Sequence, residues 1–246
     1  MKDRVALVTG GMGALGTAII EKLHAGGCKA VATFKFPGDE SADAWLASMA
    51  EKGIEVAVAE ADVSDYEQTQ KALAELEEKV GPIDILVNGA GITRDNTLRK
   101  MTPDQWSAVI RVNLDSVYNV TQPLIAGMTE RGHGRIVNIS SVNGQKGQFG
   151  QANYSAAKAG MHGFTKAVAQ EVARKGVTVN TVSPGYIDSP MIRAVPDEIR
   201  ENIRKSVPTQ RFGQPEEIAR AIAFLVDDEA GYITGHDLSV NGGLYM

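Results

Sequence analysis

Val5-Ala6-Leu7-Val8-Thr9-Gly10-Gly11-Met12-Gly13-Ala14-Leu15-Gly16 opens the chain's first structural unit. Val5 to Val8 is apolar throughout rather than alternating, the pattern of a strand buried on both faces of a parallel sheet. Thr9 to Gly16 provides a glycine-rich turn, and residues 17–23 then have helical periodicity. Strand, glycine turn and helix in that order is the setting in which backbone approaches a pyrophosphate lying on a helix N-terminus. A glycine cluster alone reads equally as a tight turn. Its place directly after the first strand gives the phosphate reading its weight.

The alternation continues along the chain. Strands are expected at residues 29–34, 54–59, 83–87, 136–139, 177–182 and 237–240. Between them, residues 40–51 form a polar helix with Trp45, Leu46 and Met49 on one face. Ser64, with Glu67 three residues on, is expected to cap a helix running to residue 80. Thr102-Pro103 opens a long helix to about residue 131 that carries Asn113, and residues 216–225 form another. This pattern predicts an α/β fold, a single doubly wound domain over residues 1–246 with a seven-stranded parallel sheet and helices on both faces. Residues 188–208 are expected to form a flap over the site.

Composition narrows the function classes. The 246 residues are 43% hydrophobic and 22% charged, with a net charge of -5, which describes a globular domain and argues against a nucleic-acid partner. Cys28 is the one cysteine, so no internal disulfide can form, and a reducing compartment is expected. The apolar run after Met1-Lys2-Asp3-Arg4 is too short for a signal peptide or a membrane span, so the cytoplasm is the expected location and no membrane partner is expected. His24, His133, His162 and His236 show no ligand spacing, and no metal is assigned; His162 is expected to pack rather than catalyse.

Asn153-Tyr154-Ser155-Ala156-Ala157-Lys158 carries the chemistry. On a helix, Tyr154 and Lys158 share one face a turn apart. An ammonium beside a phenol favours the phenolate and brings a pKa of about 10 towards the working range. Such a pair occurs by chance in many chains. Here it lies between a strand ending in Ser140-Ser141 and one ending in Ser183-Pro184-Gly185, where open α/β sheets place their sites.

With Thr9-Gly10, Ala14-Leu15-Gly16, Asn88-Gly89-Ala90-Gly91, Asn113, Ser141, Tyr154, Lys158 and Pro184-Gly185 in this order, the chain resembles the short-chain dehydrogenase/reductase family over nearly its whole length. The family commonly has Gly at Ala14 and Asn at Gly89; the second departure is expected to loosen contacts near the cofactor ribose. The resemblance implies a Rossmann fold and a nicotinamide dinucleotide cofactor. Tyr154 would protonate a carbonyl oxygen as hydride arrives, Lys158 would lower its pKa and hold the nicotinamide ribose, and Ser141 would donate a hydrogen bond to the same oxygen. Asn113 would hold a relay water, or else bond backbone at a helix kink. The cofactor set implied is Gly10, Gly11, Met12, Gly13, Leu15, Gly16, Lys35, Asp62, Val63, Asn88, Gly89, Ala90, Gly91, Tyr154, Lys158, Pro184, Gly185 and Ile187. Asp62 would meet the adenine amino group or cap a helix. No carboxylate stands near Phe34, where relatives that prefer NAD keep one, and Lys35 could meet a 2′-phosphate, so NADP is preferred and NAD kept open. Lys35 could equally be a solvated lysine, with Asp39 or Glu40 folding back.

Within the family the likeness is strongest to bacterial reductases that act on acetoacetyl-CoA with NADPH and feed polyhydroxybutyrate synthesis. Gly91 to Asp95, Ser141 to Gln151 and Ser183 to Tyr186 carry it. It implies that Gln148, Phe149, Gln151 and Tyr186, with Gly185, Ser141 and Tyr154, meet the acyl-CoA substrate, and that Asp95 sits at the rim. Loop packing for Phe149 and a solvated turn for the glutamines are the plainer alternatives. Arg193, Arg200, Arg204 and Lys205 could meet CoA phosphates, yet interleaved Glu198 and Glu201 suggest a solvated amphipathic helix. The small residues Ala156, Ala159, Gly160 and Gly163 agree with the family's homotetramers, or with close packing on the sheet. A reductase of 3-oxoacyl carrier-protein thioesters and a non-catalytic dinucleotide sensor are the competing functions.

Overall fold

The computed structural model describes the backbone of residues 1–246 and every side chain except that of Met191. The elements run β1 (Val5–Thr9), α1 (Ala14–Ala25), β2 (Ala30–Lys35), α2 (Ser41–Glu51), β3 (Val56–Glu60), α3 (Tyr66–Val80), β4 (Ile85–Asn88), α4 (Pro103–Ile110), α5 (Ser116–Arg131), β5 (Gly134–Ile139), α6 (Val142–Lys146) and α7 (Ala152–Val172). After them come β6 (Val177–Pro184), α8 (Pro190–Arg193), α9 (Asp197–Ser206), α10 (Pro215–Leu225) and β7 (Asp237–Val240).

The seven strands form one sheet in the order β3-β2-β1-β4-β5-β6-β7, all pairs parallel. Both faces of β1 are apolar, as its unbroken run requires. Ala6 and Val8 pack with Ile19, Ile20 and Leu23 of α1 and Ile218 and Ile222 of α10. Val5 and Leu7 pack on the other face with Leu73 and Leu76 of α3, Leu124 and Met128 of α5 and Val172 of α7. Burying such side chains on both faces is the main stabilising contribution, roughly 2 kcal/mol for each Leu, Ile or Met taken out of water. The order reverses direction between β1 and β4, and that switch point opens a crevice beyond the carboxyl ends of the strands.

Two local expectations are corrected. Asp65, not Ser64, caps α3: its side chain accepts the Gln68 N–H at 3.0 Å, and the Gln68 amide returns to it at 3.2 Å, so Glu67 is no box partner. Ser64 sits one residue too early because Asp62 Oδ1 accepts its N–H at 2.9 Å and turns the chain there. The single helix expected to run on to residue 131 is instead α4 and α5 joined by a π-turn, Arg111–Asp115. Thr102 does cap α4, with Gln105 completing a capping box. The π-turn presents Asn113 to the loop after β4, and such insertions gather at functional sites. Among the described residues no helix is long and apolar enough to cross a membrane.

Candidate active site

The glycine residues form a tight turn between β1 and α1. Gly10 has φ +70°, which a side chain would strain, and a Cβ on Gly16 would overlap the Gly10 carbonyl oxygen, so α1 can begin only this close to β1 with glycine there. Gly13 caps α1 without a side chain, and no acidic residue stands in the first turn. The first N–H groups of α1 therefore face outward with the positive helix end, a fit for the pyrophosphate of a dinucleotide. Met12 and Leu15 line the turn half-buried. Thr9, unassigned from sequence, clamps it to β4: its Oγ1 accepts the N–H groups of Gly89 and Ala90 at 3.0 and 3.1 Å. Thr9 thus holds the backbone of the loop at Gly89.

At the end of β2, Lys35 pairs with Glu60 of β3 at 3.3 Å, its register partner. Asp39 accepts from the Ser41 backbone and hydroxyl at 2.9 and 2.6 Å, which holds its carboxyl below its usual range. Asp62 uses one carboxylate oxygen for its turn, and the Val63 carbonyl accepts from Asn119 at 2.9 Å. Asn88 points inward rather than toward the crevice: its amide donates to Thr121 and Asn138 at 3.1 and 2.8 Å, and Asn138 continues to Thr165 at 2.8 Å. Gly91 borders both Asn113 and the Lys158 ammonium.

Lys158 is buried on α7 and donates to the Ile139 carbonyl at 2.7 Å, while Ser140 Oγ donates to the Lys158 carbonyl at 2.8 Å. Those two bonds set the register of α7 on the end of β5. Burial pushes the ammonium down to about 7, since removing it from water disfavours the charge. Its Nζ lies 5.6 Å from the centroid of the Tyr154 ring. The phenol itself is pushed up by burial, with a hydrogen bond from Ser141 pulling the other way and Asp95 adding to the rise. The direction is opposite to the one expected from spacing alone, because desolvation dominates and Lys158 directs its proton at a backbone carbonyl instead of the phenol. Ser141 caps α6 and accepts the Asn143 N–H at 3.1 Å, which leaves its hydroxyl hydrogen to donate on the crevice side, where it meets the Tyr154 phenol. Asn113 brackets Ile92, accepting its N–H at 2.8 Å and donating to its carbonyl at 2.9 Å. Asn153 fixes the start of α7 by donating to the Arg94 and Gln105 carbonyls, both at 3.1 Å, and accepting the Tyr154 N–H at 2.8 Å. An Asn within the first helical turn, where its side chain can bond nearby backbone, was the available signal for it.

The segment between α6 and α7 forms a wall. Gln151 donates to exposed Asp95 at 2.8 Å and accepts from Asn143 at 3.0 Å, joining two loops that the sequence separates. Gln148 is exposed and accepts from Lys146 at 3.0 Å, as a solvated turn would have it. Phe149 is 87% exposed, so it does not pack its own loop. Tyr186 is half-buried, and burial pushes its phenol up. Gly185 donates to the Val240 carbonyl at 3.0 Å, and Ile187 bridges Gly213. Across residues 188–208 the cations are already partnered: Arg193 with Asp188, Arg200 with Asp197, Arg204 and Lys205 with Glu201. That is the pairing expected of a solvated amphipathic helix.

Comparison with known proteins places this geometry in a family setting. A family model described as enoyl-(acyl carrier protein) reductase matches residues 11–245. The chain is similar to an acetoacetyl-CoA reductase of Allochromatium vinosum, 57% identical over 243 residues and 99% of each chain. It is also similar to an acetoacetyl-CoA reductase of Cupriavidus necator, 52% identical over 246 residues and 100% of each chain. A 3-oxoacyl-[acyl-carrier-protein] reductase of Vibrio harveyi is 44% identical over 246 residues, covering 100% of this chain and 99% of its own.

Proposed function

We propose, for a chain that belongs to the short-chain dehydrogenase/reductase family and is an oxidoreductase using a nicotinamide dinucleotide, the reduction of acetoacetyl-CoA by NADPH to (R)-3-hydroxybutyryl-CoA. The observation that carries it is the convergence of Ser141, Tyr154 and Lys158 at the carboxyl ends of β5 and β6, on a chain matched end to end by reductases of that name. The cofactor supplies the hydride when bound to the α1 cradle and the loops after β4 and β6. Ser141 donates a hydrogen bond to the ketone oxygen, stabilising the charge that develops there. Tyr154 gives its proton to that oxygen, and a phenol raised by burial is a filled proton donor throughout neutral pH. Lys158 holds the cofactor side and, once charged, stabilises the phenolate left behind.

Gln148, exposed Phe149, Gln151, Tyr186 and the rim carboxylate Asp95 then meet the thioester arm, with residues 188–208 covering it. Trp106 and Tyr118 are 40% and 51% exposed on neighbouring helices, apolar surface that further copies in a homotetramer would cover. This reading puts the enzyme in the cytoplasm, supplying polyhydroxybutyrate synthesis. The test is the initial rate of nicotinamide absorbance loss with acetoacetyl-CoA, run with NADPH and NADH in parallel. A rate with NADPH is expected. A rate only with the carrier-protein thioester would transfer the chain to the function of its Vibrio harveyi relative, and none with either would end the reductase reading.

Cofactor choice has its own expected result. Lys35 must exchange Glu60 for the 2′-phosphate, so the gain is that of one half-exposed charge pair. Lys35→Ala should therefore lower kcat/KM for NADPH roughly fivefold and leave NADH unchanged. Equal losses with both cofactors would remove Lys35 from the 2′ position.

A further inference from the structure

Behind the catalytic wall stands a carboxylate that this chemistry does not use. Asp237, the first residue of β7, accepts from Ser183 Oγ at 2.6 Å through Oδ1 and from Gln145 Nε2 at 2.8 Å through Oδ2. Gln145 Nε2 also donates to Ser239 Oγ at 2.7 Å. His162, one turn beyond Lys158 on α7, closes the cluster: its Nε2 is 3.5 Å from Asp237 Oδ2 and 3.4 Å from Ser183 Oγ. This is not a nucleophilic triad. Ser183 donates to the carboxylate rather than to the imidazole, and it is fully buried, out of reach of a substrate.

What the cluster touches gives it a role. Asp237 reaches α6 through Gln145, faces α7 through His162, and holds Ser183 directly before Pro184-Gly185. Helix α6 is five residues long, too short to hold its own shape, and its first turn is the one Ser141 caps. At its centre a Cβ on Gly144 would come within 2.9 Å of Lys158 Cβ, so α6 lies directly on the catalytic helix. The Ser141 cap fastens one end of α6 and the Gln145–Asp237 bond fastens the other. If the second lets go, the direction of the Ser141 hydroxyl goes with it.

We propose that Asp237 is a positioning residue, anchoring α6 through Gln145 so that the Ser141 hydroxyl stays aimed at the oxygen Tyr154 protonates. The inference rests on the reading of Ser141 and Tyr154 given above. Gln145→Ala should lower kcat about tenfold while the KM for NADPH stays within about twofold, since misaiming one donor costs part of what deleting it does. Asp237→Ala should do at least as much. Asp237→Asn should recover most of the rate, because the Gln145 amide, whose Oε1 has no partner among the described residues, can turn over and accept from the new amide.

The decisive comparison is Gln145→Ala in a Ser141→Ala background, where no further loss is expected if the effect runs through Ser141. An equal loss in both backgrounds, or full activity in both Gln145→Ala and Asp237→Ala, overturns the proposal. A second readout is independent of the thioester. Hydrogen exchange across residues 141–147 should quicken about tenfold in Gln145→Ala, as the Asn143 N–H loses its fixed acceptor. Unchanged exchange overturns the anchoring even if the wild-type enzyme reduces acetoacetyl-CoA. Conversely, a wild type inactive on that substrate, with the exchange effect present, overturns the functional reading and leaves the anchor standing.

Discussion

Tyr154→Phe lowers kcat about a thousandfold and leaves the Kd for NADPH within about twofold of wild type, the expected result of deleting one general acid. The ring stays, so the side chain keeps its packing beside Lys158, whose Nζ lies 5.6 Å from the ring centroid. Only the proton and the oxygen that accepts from Ser141 are lost. Single-turnover rates with acetoacetyl-CoA, together with fluorescence titration of NADPH, separate the two effects. Turnover within a few-fold of wild type would mean that the ketone oxygen takes its proton elsewhere, and the mechanism would fall with it. Ser141→Ala is the natural companion, because it removes a hydrogen-bond donor and leaves the acid in place.

Lys158→Met has a divided outcome: catalysis falls by about two to three orders of magnitude, while the free protein becomes more stable. Lys158 is buried, and burial holds its ammonium down to about 7 from an ordinary 10.5. Among the described residues its short hydrogen bond is to the Ile139 carbonyl, at 2.7 Å, so the charge is only partly compensated in the fold. An apolar chain of similar length would remove that cost, and a net gain of about 2 kcal/mol is expected at neutral pH and below. In a chain of this size that corresponds to a rise in Tm of roughly 5 °C.

The pH dependence follows from the same shift. Between about 7 and 10.5 the unfolded lysine keeps a proton that the folded one has released. The unfolded state then binds more protons, so wild-type stability rises with pH through that window and is flat below it. The advantage of Lys158→Met should be largest below pH 7 and shrink toward pH 10. Denaturant titrations of both proteins at pH 6 and 9 measure it, and a gap that stays the same at both pH values would show the lysine to be well solvated. Under the proposed function the enzyme carries this cost because Lys158 holds the cofactor and stabilises the phenolate.

Much of this was legible along the chain. The unbroken apolar run of β1, the glycines between it and α1, and the spacing of Tyr154 and Lys158 are all local patterns. A backbone reads a local pattern the same way wherever it lies, through a period of two or 3.6 residues or a φ that only glycine tolerates. From these patterns came the doubly wound sheet of seven parallel strands and the glycine turn that joins β1 to α1. Composition added the absence of any internal disulfide, since Cys28 stands alone.

What the tertiary structure decided is of another kind. Lys35 meets Glu60 because β2 and β3 pair in one register and not the next. Asn88 turns inward because Asn138 and Thr121 wait for its amide there. The phenol of Tyr154 rises rather than falls because desolvation depends on everything packed around it. Gln145 and Asp237 are 92 residues apart and bond because β7 is laid beside β6 at the edge of the sheet. Periodicity specifies which face of an element is apolar, but a polar side chain finds its partner only when strand order and register have brought two distant segments together.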